Sequence, residues 1–255
     1  MIRLITRGDD AGSNVTANQA IREACVDGVL RNVSVMVPCD ALEDAAERLN
    51  DLGHICVGFH ATLNAEWSRI RWGSVSPVSD VQSVLQPDGT FFLSVGELES
   101  NGATLEHGMK ELQAQLDRGR ELNFDFRYAD QHMGFGRAIE GFEEAFDRWC
   151  DAEGMLNYRH YHRRLVWSRE GVGDSVDRLI AGLKAADAGQ WAIVGHPGYE
   201  TEKMQQIGNE QTDGVAEATA RDWQRRWFMD PRVTAYFDSH EIEAIRYDEA
   251  ERIGS

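Results

Sequence analysis

Two adjacent carboxylates, Asp9 and Asp10, follow the apolar run Ile2 to Ile5 within Arg7-Gly8-Asp9-Asp10-Ala11-Gly12, where a first strand would end and a loop open. On its own an Asp-Asp pair reads as a solvated turn. Three further strand-like runs each end in a histidine near a glycine: Gly58-Phe59-His60, Asp130-Gln131-His132 and Gly195-His196-Pro197-Gly198. Carboxylate oxygens and imidazole nitrogens together are the raw material of a mononuclear metal site with acid–base partners. Each histidine taken singly reads as a hydrogen-bonded structural residue; gathered at strand ends they read as a site. The set predicts a metal-dependent hydrolase.

Strand alternation places Cys56, Gly58 and His60 on one face and Ile55, Val57 and Phe59 on the other. Small residues beneath His60 leave its imidazole room to point at a strand-end mouth. By the same rule Phe126, Tyr128, Asp130 and His132 share a face, with Asp130 placed to orient His132 or to approach substrate. Pro197 and Gly198 make a sharp turn that presents His196 at a strand tip. The other histidines, His54, His107, His160, His162 and His240, are expected at the surface. Ser13 is expected to cap a helix or hold a loop. No Gly-x-x-x-x-Gly-Lys or Gly-x-Gly-x-x-Gly loop supports a nucleotide cofactor, and no Gly-x-Ser-x-Gly elbow supports a serine nucleophile.

The elements that must position these residues alternate along the chain. Strand-like runs at Arg3 to Arg7, Val33 to Val37, Ile55 to His60, Phe126 to His132, Met155 to Tyr161 and Trp191 to Val194 are separated by helical periodicity. The helical segments are Asn18 to Asp27, Ala41 to Leu49, Leu105 to Leu122, Ile139 to Ala152, Ser175 to Ala186 and Val215 to Phe228, with a terminal helix–strand piece at Ile242 to Tyr247. Such alternation implies parallel β-α-β units. Candidate residues at the ends of several strands favour an irregular, TIM-like (β/α) barrel, whose strand ends share one mouth, over an open sheet. Residues 61–103, directly after His60, lack sustained periodicity and are expected to form a long loop over the site. In it Trp67 and Trp72 could stack on a sugar or pin the loop.

The length of 255 residues suits one domain of this kind, and 42% hydrophobic with 27% charged residues is ordinary for a globular chain. A net charge of −17 argues against nucleic acid as partner and favours a neutral or amino-bearing small molecule. Arg159, His160, His162, Arg163 and Arg164 form one local basic stretch. Cys25, Cys39, Cys56 and Cys150 are widely spaced and read as reduced and buried. No apolar run reaches the ~18–20 residues of a membrane span, and the start lacks a signal-peptide pattern. A cytoplasmic protein is the expectation, with a homodimer left open.

At this point the residues resemble a known family, the YdjC-like (ChbG-type) carbohydrate deacetylases. Thr6 to Gly12 resembles that family's Asn-Ala-Asp-Asp-Phe-Gly opening, and Gly58-Phe59-His60-Ala61-Thr62-Leu63-Asn64 its Gly-Leu-His-Leu-Asn-Leu-Thr run. Asn18-Gln19-Ala20-Ile21, Gly28 and Asn32 to Val37 continue the pattern. Asp88-Gly89-Thr90-Phe91 is similar to its Asp-Gly-x-Phe stretch, Asp130-Gln131-His132 to the start of Asp-x-His-x-His, and His196-Pro197-Gly198 to its late turn. The resemblance spans roughly residues 3 to 200. It implies an irregular β/α barrel with one divalent metal ion held by Asp10, His60 and His132. Asp9 would be general base and His196 the acid or transition-state partner, in hydrolysis of an N-acetyl group (a linear amide C–N bond) on an amino sugar or short chitin-type oligosaccharide.

One carboxylate and two imidazoles suit zinc, with magnesium, manganese, cobalt and nickel also compatible. The chain departs from the family where Gly134 and Gly136 replace further histidines, Ala11 replaces Phe, and Arg7-Gly8 replaces Asn-Ala. These departures fall in the substrate-facing part of the pocket. They leave two alternatives open: a metal hydrolase of a non-sugar amide or ester, and an inactive carbohydrate-binding protein.

Overall fold

The computed structural model describes residues 1–168 and 174–253. Its frame is eight strands among the described residues: β1 (Ile2–Ala11), β2 (Asn32–Val35), β3 (Cys56–Ala61), β4 (Phe126–Gln131), β5 (Leu156–Asn157), β6 (Arg163–Arg164), β7 (Gly189–Gly195) and β8 (Ile242–Ile245). Between them run α1 (Val15–Val26), α2 (Leu42–Leu49), α3 (Val95–Ser100), α4 (Leu105–Glu121), α5 (Phe142–Glu153), α6 (Ser175–Ala185), α7 (Gly214–Met229) and α8 (Pro231–Ser239). Side chains that start helices do so by satisfying free backbone N–H groups: Asn14, Thr104, Asp174, Asp213 and Asp230 each accept one, and Pro231 occupies the first turn of α8.

All pairings between these eight strands are parallel, in the order β5-β4-β3-β2-β1-β7-β6, and β8 lies along the first half of β1. The outer strands of that order, β5 and β6, are joined only by residues 158–162. Six Cα steps reach about 22 Å at most. Laid flat at about 4.8 Å per strand, the outer two would stand about 29 Å apart. The sheet must therefore curl until its edges face, giving an irregular barrel whose edges are bridged by chain rather than by a hydrogen-bonded ladder. This is the architecture expected from the alternation.

Two apolar layers follow from the curl. Leu4, Val33, Val35, Phe59, Ala129 and Ile193 face the helices, while Ile5, Cys56, Tyr128, Ala192, Ile245 and Tyr247 fill the barrel interior. Tyr128 crosses the interior with its hydroxyl 2.8 Å from Ser34 Oγ and its ring 4.2 Å from that of Tyr247. Gly58 lies directly beneath it: a Cβ there would sit 2.1 Å from the Tyr128 ring. The small residue under His60 thus makes room for a tyrosine as well as for the imidazole.

Several boundaries differ from the sequence expectation. The first strand continues to Ala11, so the Asp pair lies within it. Phe126 does not share a face with Tyr128. The β3–β4 register slips between Val57↔Phe126 and Gly58↔Tyr128, which turns Phe126 outward against Phe59, 5.6 Å between ring centres. Met155 to Tyr161 is strand only at Leu156–Asn157, followed by a 3₁₀ turn at Tyr158–His160. The terminal piece is the strand β8, and α8 and β6 were not anticipated.

The long stretch after β3 is held without regular structure of its own beyond short turns and α3. Buried Glu111 of α4 accepts the backbone N–H groups of Val75 and Ser76, both at 2.9 Å, and Trp72 Nε1 donates to the Asn64 carbonyl at 2.8 Å. Trp72 is therefore a pin. The four cysteines are buried and unpaired, and burial pushes the Cys25 and Cys56 thiols up to about 12. Among the described residues no helix is long and apolar enough to cross a membrane.

Candidate metal centre and cleft

In a regular strand, neighbouring carboxylates would face opposite sides. Asp10 escapes this rule with a left-handed backbone (φ 67°), and the β1–β2 register slips between Gly8 and Ala11. Ser13 Oγ donates to the Asp10 carbonyl at 2.6 Å and Asn18 Oδ1 accepts the Gly12 N–H at 2.7 Å, fixing the turn that follows. Ser13 thus holds the loop, and Asn14 caps α1. As a result Asp9 and Asp10 both reach the wall of one cleft of about 590 Å³, together with His60, His132 and His196. That volume lies within the range of small-molecule sites. All five residues singled out in the sequence line it.

Three side-chain atoms converge there. Asp10 Oδ1 lies 3.5 Å from His60 Nε2 and 3.5 Å from His132 Nδ1, and the two imidazole nitrogens are 3.3 Å apart. Ligands bound at about 2.1 Å in tetrahedral geometry sit about 3.4 Å from one another. Asp10 Oδ1 is buried with no hydrogen-bond partner, which a protein seldom tolerates without a cation. The donor set of one carboxylate and two imidazoles therefore fits a divalent metal ion. These three residues form one of two acidic–histidine groups among the described residues; the other is Asp9, His60 and Asp130.

Behind each histidine stands a carboxylate. Asp130 Oδ2 faces His60 Nδ1 at 3.0 Å, and Glu66 Oε2 faces His132 Nε2 at 2.8 Å. Asp130 thus holds His60 and not His132, and it lies behind the cleft wall. Burial disfavours the charged form of both imidazoles, yet the carboxylates prevail, Asp130 and Asp10 at His60 and Glu66 and Asp10 at His132. They raise His60 to about 10 and His132 to about 9.

Two buried arginines balance the carboxylates. Arg7, two residues before Asp9 on the same face of β1, contacts Asp9 Oδ1 and Oδ2 at 2.7 and 2.8 Å and Asp130 Oδ2 at 3.1 Å. Arg221 of α7 reaches Asp10 Oδ2 at 2.9 Å and Glu217 Oε1 at 2.9 Å. Burial would raise the Asp10 carboxyl, but Arg221 and the contacts with His132 and His60 hold it well below the usual carboxylate range. Asp130 is likewise lowered against its burial by Arg7 and His60.

Arg7, Glu66 and Arg221 were missed in the sequence. Only Arg7 carried a signal, as a cation inside an otherwise apolar strand; Glu66 and Arg221 sit in a loop and on a helix whose return to the mouth is tertiary.

His196 lines the cleft, its backbone N–H donating to Gln224 Oε1 at 2.8 Å and its Nδ1 3.3 Å from the same oxygen. Trp67 also lines the cleft, its ring 5.8 Å from the Arg221 guanidinium. Trp72 instead packs edge-on to His132, 6.2 Å between ring centres. His162 corrects the surface expectation: it borders the cleft, with Nδ1 3.1 Å from the Tyr247 hydroxyl. Burial together with Arg7 and Arg164 lowers it to about 4. His160 pairs with Asp147 at 2.8 Å. Arg159 is held by Glu143, away from the cleft lining.

The family model described as YdjC-like protein matches residues 3–239. A carbohydrate deacetylase of Mus musculus is 34% identical over 125 residues, 48% of this chain and 38% of that protein. The match therefore covers well under half of that relative. Among solved structures, one provisionally named cellobiose-phosphate cleavage protein from Enterococcus faecalis V583 is similar with a TM-score of 0.80 at 16% identity, over 97% of this chain and 98% of that one. A peptidoglycan N-acetylglucosamine deacetylase is similar with a TM-score of 0.50 at 8% identity, over 99% of this chain and 89% of that one. At such identities the two structures speak for the fold, an α/β barrel of parallel strands. With the family match running from β1 through α8, the chain belongs to the YdjC-like protein family.

Proposed function

We propose that the protein is a metal-dependent hydrolase that removes the N-acetyl group from an amino sugar or a short chitin-type oligosaccharide. The observation that carries this reading is the convergence of Asp10 Oδ1, His60 Nε2 and His132 Nδ1 within 3.5 Å of one another, beside a fourth side chain, Asp9, that is free of that triad. The carbohydrate substrate is supported by family membership and by the partial likeness to the mouse carbohydrate deacetylase.

Asp10, His60 and His132 would hold the ion, with zinc favoured by the donor set and magnesium, manganese, cobalt or nickel compatible. When bound, a divalent ion supplies Lewis acidity toward the acetamide carbonyl and acidifies water. The chain's own groups do the rest. Asp9, pinned by Arg7, would accept a proton from the attacking water. His196, which lines the cleft and is oriented through Gln224, would deliver a proton to the departing amine. Trp67 offers an apolar wall against which a sugar ring can lie.

The test is acetate release from N-acetylglucosamine oligosaccharides by metal-reconstituted protein, with His60→Ala as control. Release that requires both metal and His60 is the expected result. Bound metal with no release from any N-acetylated sugar would overturn the substrate assignment, and release unaffected by chelation would overturn the metal.

A further inference from the structure

The two histidines of the triad face it through different nitrogens, His60 through Nε2 and His132 through Nδ1. A neutral imidazole, the form that binds a metal ion, presents a lone pair on one nitrogen when the other is fixed as a donor. Asp130, on β4, fixes His60 from within the barrel wall. The carboxylate that fixes His132 comes from elsewhere: Glu66, six residues after His60, belongs to the long loop that follows β3 and reaches His132 Nε2 at 2.8 Å. With the opposite tautomer, His132 would aim an N–H at both Asp10 and His60 instead of a lone pair.

Resting on the metal reading above, we infer that Glu66 is a positioning residue that selects the Nδ1-presenting form of His132, and that metal binding is thereby linked to seating of the loop. The loop around Glu66 is strapped at several points. The Glu66 carbonyl accepts Asn209 Nδ2 at 3.0 Å, and the Ser68 N–H donates to the Gly208 carbonyl at 2.8 Å. Trp72 packs on the His132 ring, and Trp67 faces Arg221, which itself holds Asp10. The loop therefore supports two of the three metal-facing side chains. If a seated loop strengthens metal binding, bound metal must by reciprocity strengthen the seating.

The test reads metal binding rather than turnover. Cobalt(II) titrated into metal-free wild type, Glu66→Ala and Glu66→Gln reports both Kd and the visible spectrum of the bound ion. Glu66→Ala should weaken binding about 10–100-fold and alter the spectrum. Glu66→Gln, whose amide oxygen can still accept the Nε2 proton, should recover most of the affinity. Hydrogen exchange at the Ser68 amide should slow on metal addition in wild type and respond far less in Glu66→Ala. Equal Kd and spectra in wild type and Glu66→Ala would overturn the inference while leaving the hydrolase reading intact. Should Glu66→Ala fail to fold, exchange at Ser68 in wild type that is indifferent to metal would overturn the loop linkage. Wild type that takes up no cobalt would overturn the metal reading itself and this inference with it.

Discussion

Arg7 grips both oxygens of Asp9, two residues further along the same face of β1, at 2.7 and 2.8 Å, and extends the same guanidinium to Asp130 at 3.1 Å. One buried cation thus balances a carboxylate in the cleft wall and another that orients His60. Its other nitrogen reaches toward the Tyr247 hydroxyl at 3.4 Å, and the Tyr158 ring lies 5.3 Å away. Removing it leaves buried Asp9 without its counter-charge and Asp130 with only His60 beside it. Arg7→Met is expected to destabilise the metal-free protein by about 3–5 kcal/mol, and Arg7→Lys, which keeps charge but not the fork, by less. Urea unfolding measures both. A loss below about 1 kcal/mol for Arg7→Met would mean the pair is solvated in solution.

Asp9 touches Arg7 but is not one of the three converging atoms, so its chemical and metal-binding roles separate. In Asp9→Asn the amide keeps the volume and loses the basic oxygen. Acetate release is expected to fall by about 10²–10⁴-fold, the usual worth of a general base. Metal affinity should change only a few-fold. Substantial residual turnover would remove Asp9 as the base, and loss of metal would make it a ligand.

What could be read from the sequence, and what could not, divides along a physical line. His60, His132 and His196 were legible because strand ends in parallel β-α-β units open on one mouth, so position along the chain predicts position in space. Asp9 and Asp10 were legible as a pair, but alternation alone would have separated them. The left-handed backbone at Asp10 that brings them together has no signature in an aspartate. Period-two reasoning failed at Phe126 for a similar reason, since a register slip cannot be seen from one strand. Glu66 and Arg221 lie 6 residues after His60 and 25 after His196, on elements whose approach to the mouth is set by loop packing. His162 was hidden in a basic stretch that looks solvated, though the bridge between β5 and β6 folds it against Tyr247.

Gly58 is a packing requirement that can be tested apart from chemistry. Its absent Cβ would lie 2.1 Å from the Tyr128 ring, and that ring is trapped by Ser34 and Tyr247. Gly58→Ala should therefore cost about 1–3 kcal/mol through overpacking. Tyr128→Ala leaves a cavity and should cost more on its own. In the double variant the clash disappears, so the two losses should combine to less than their sum. Strict additivity in thermal or urea unfolding would show that the glycine is not there for the tyrosine.

His162 gives a pH dependence whose sign follows from its surroundings. The groups facing it are the Tyr247 hydroxyl at 3.1 Å, the Tyr158 ring at 5.8 Å, and the charges of Arg7, Arg164 and Asp130. Burial comes first and the two arginines second in lowering its pKa to about 4, against about 6.5 in an unfolded chain. Between those values the unfolded chain binds a proton that the folded chain refuses. Stability therefore rises with pH across that window and is lost as pH falls through it, by roughly 1–3 kcal/mol in all. Carboxylates elsewhere titrate in the same range, so the measurement is a difference: urea unfolding of wild type and His162→Asn from pH 7 down to 4. The variant should lose less stability than wild type over that interval. Parallel curves would mean that His162 is solvated enough to take up its proton in the folded protein.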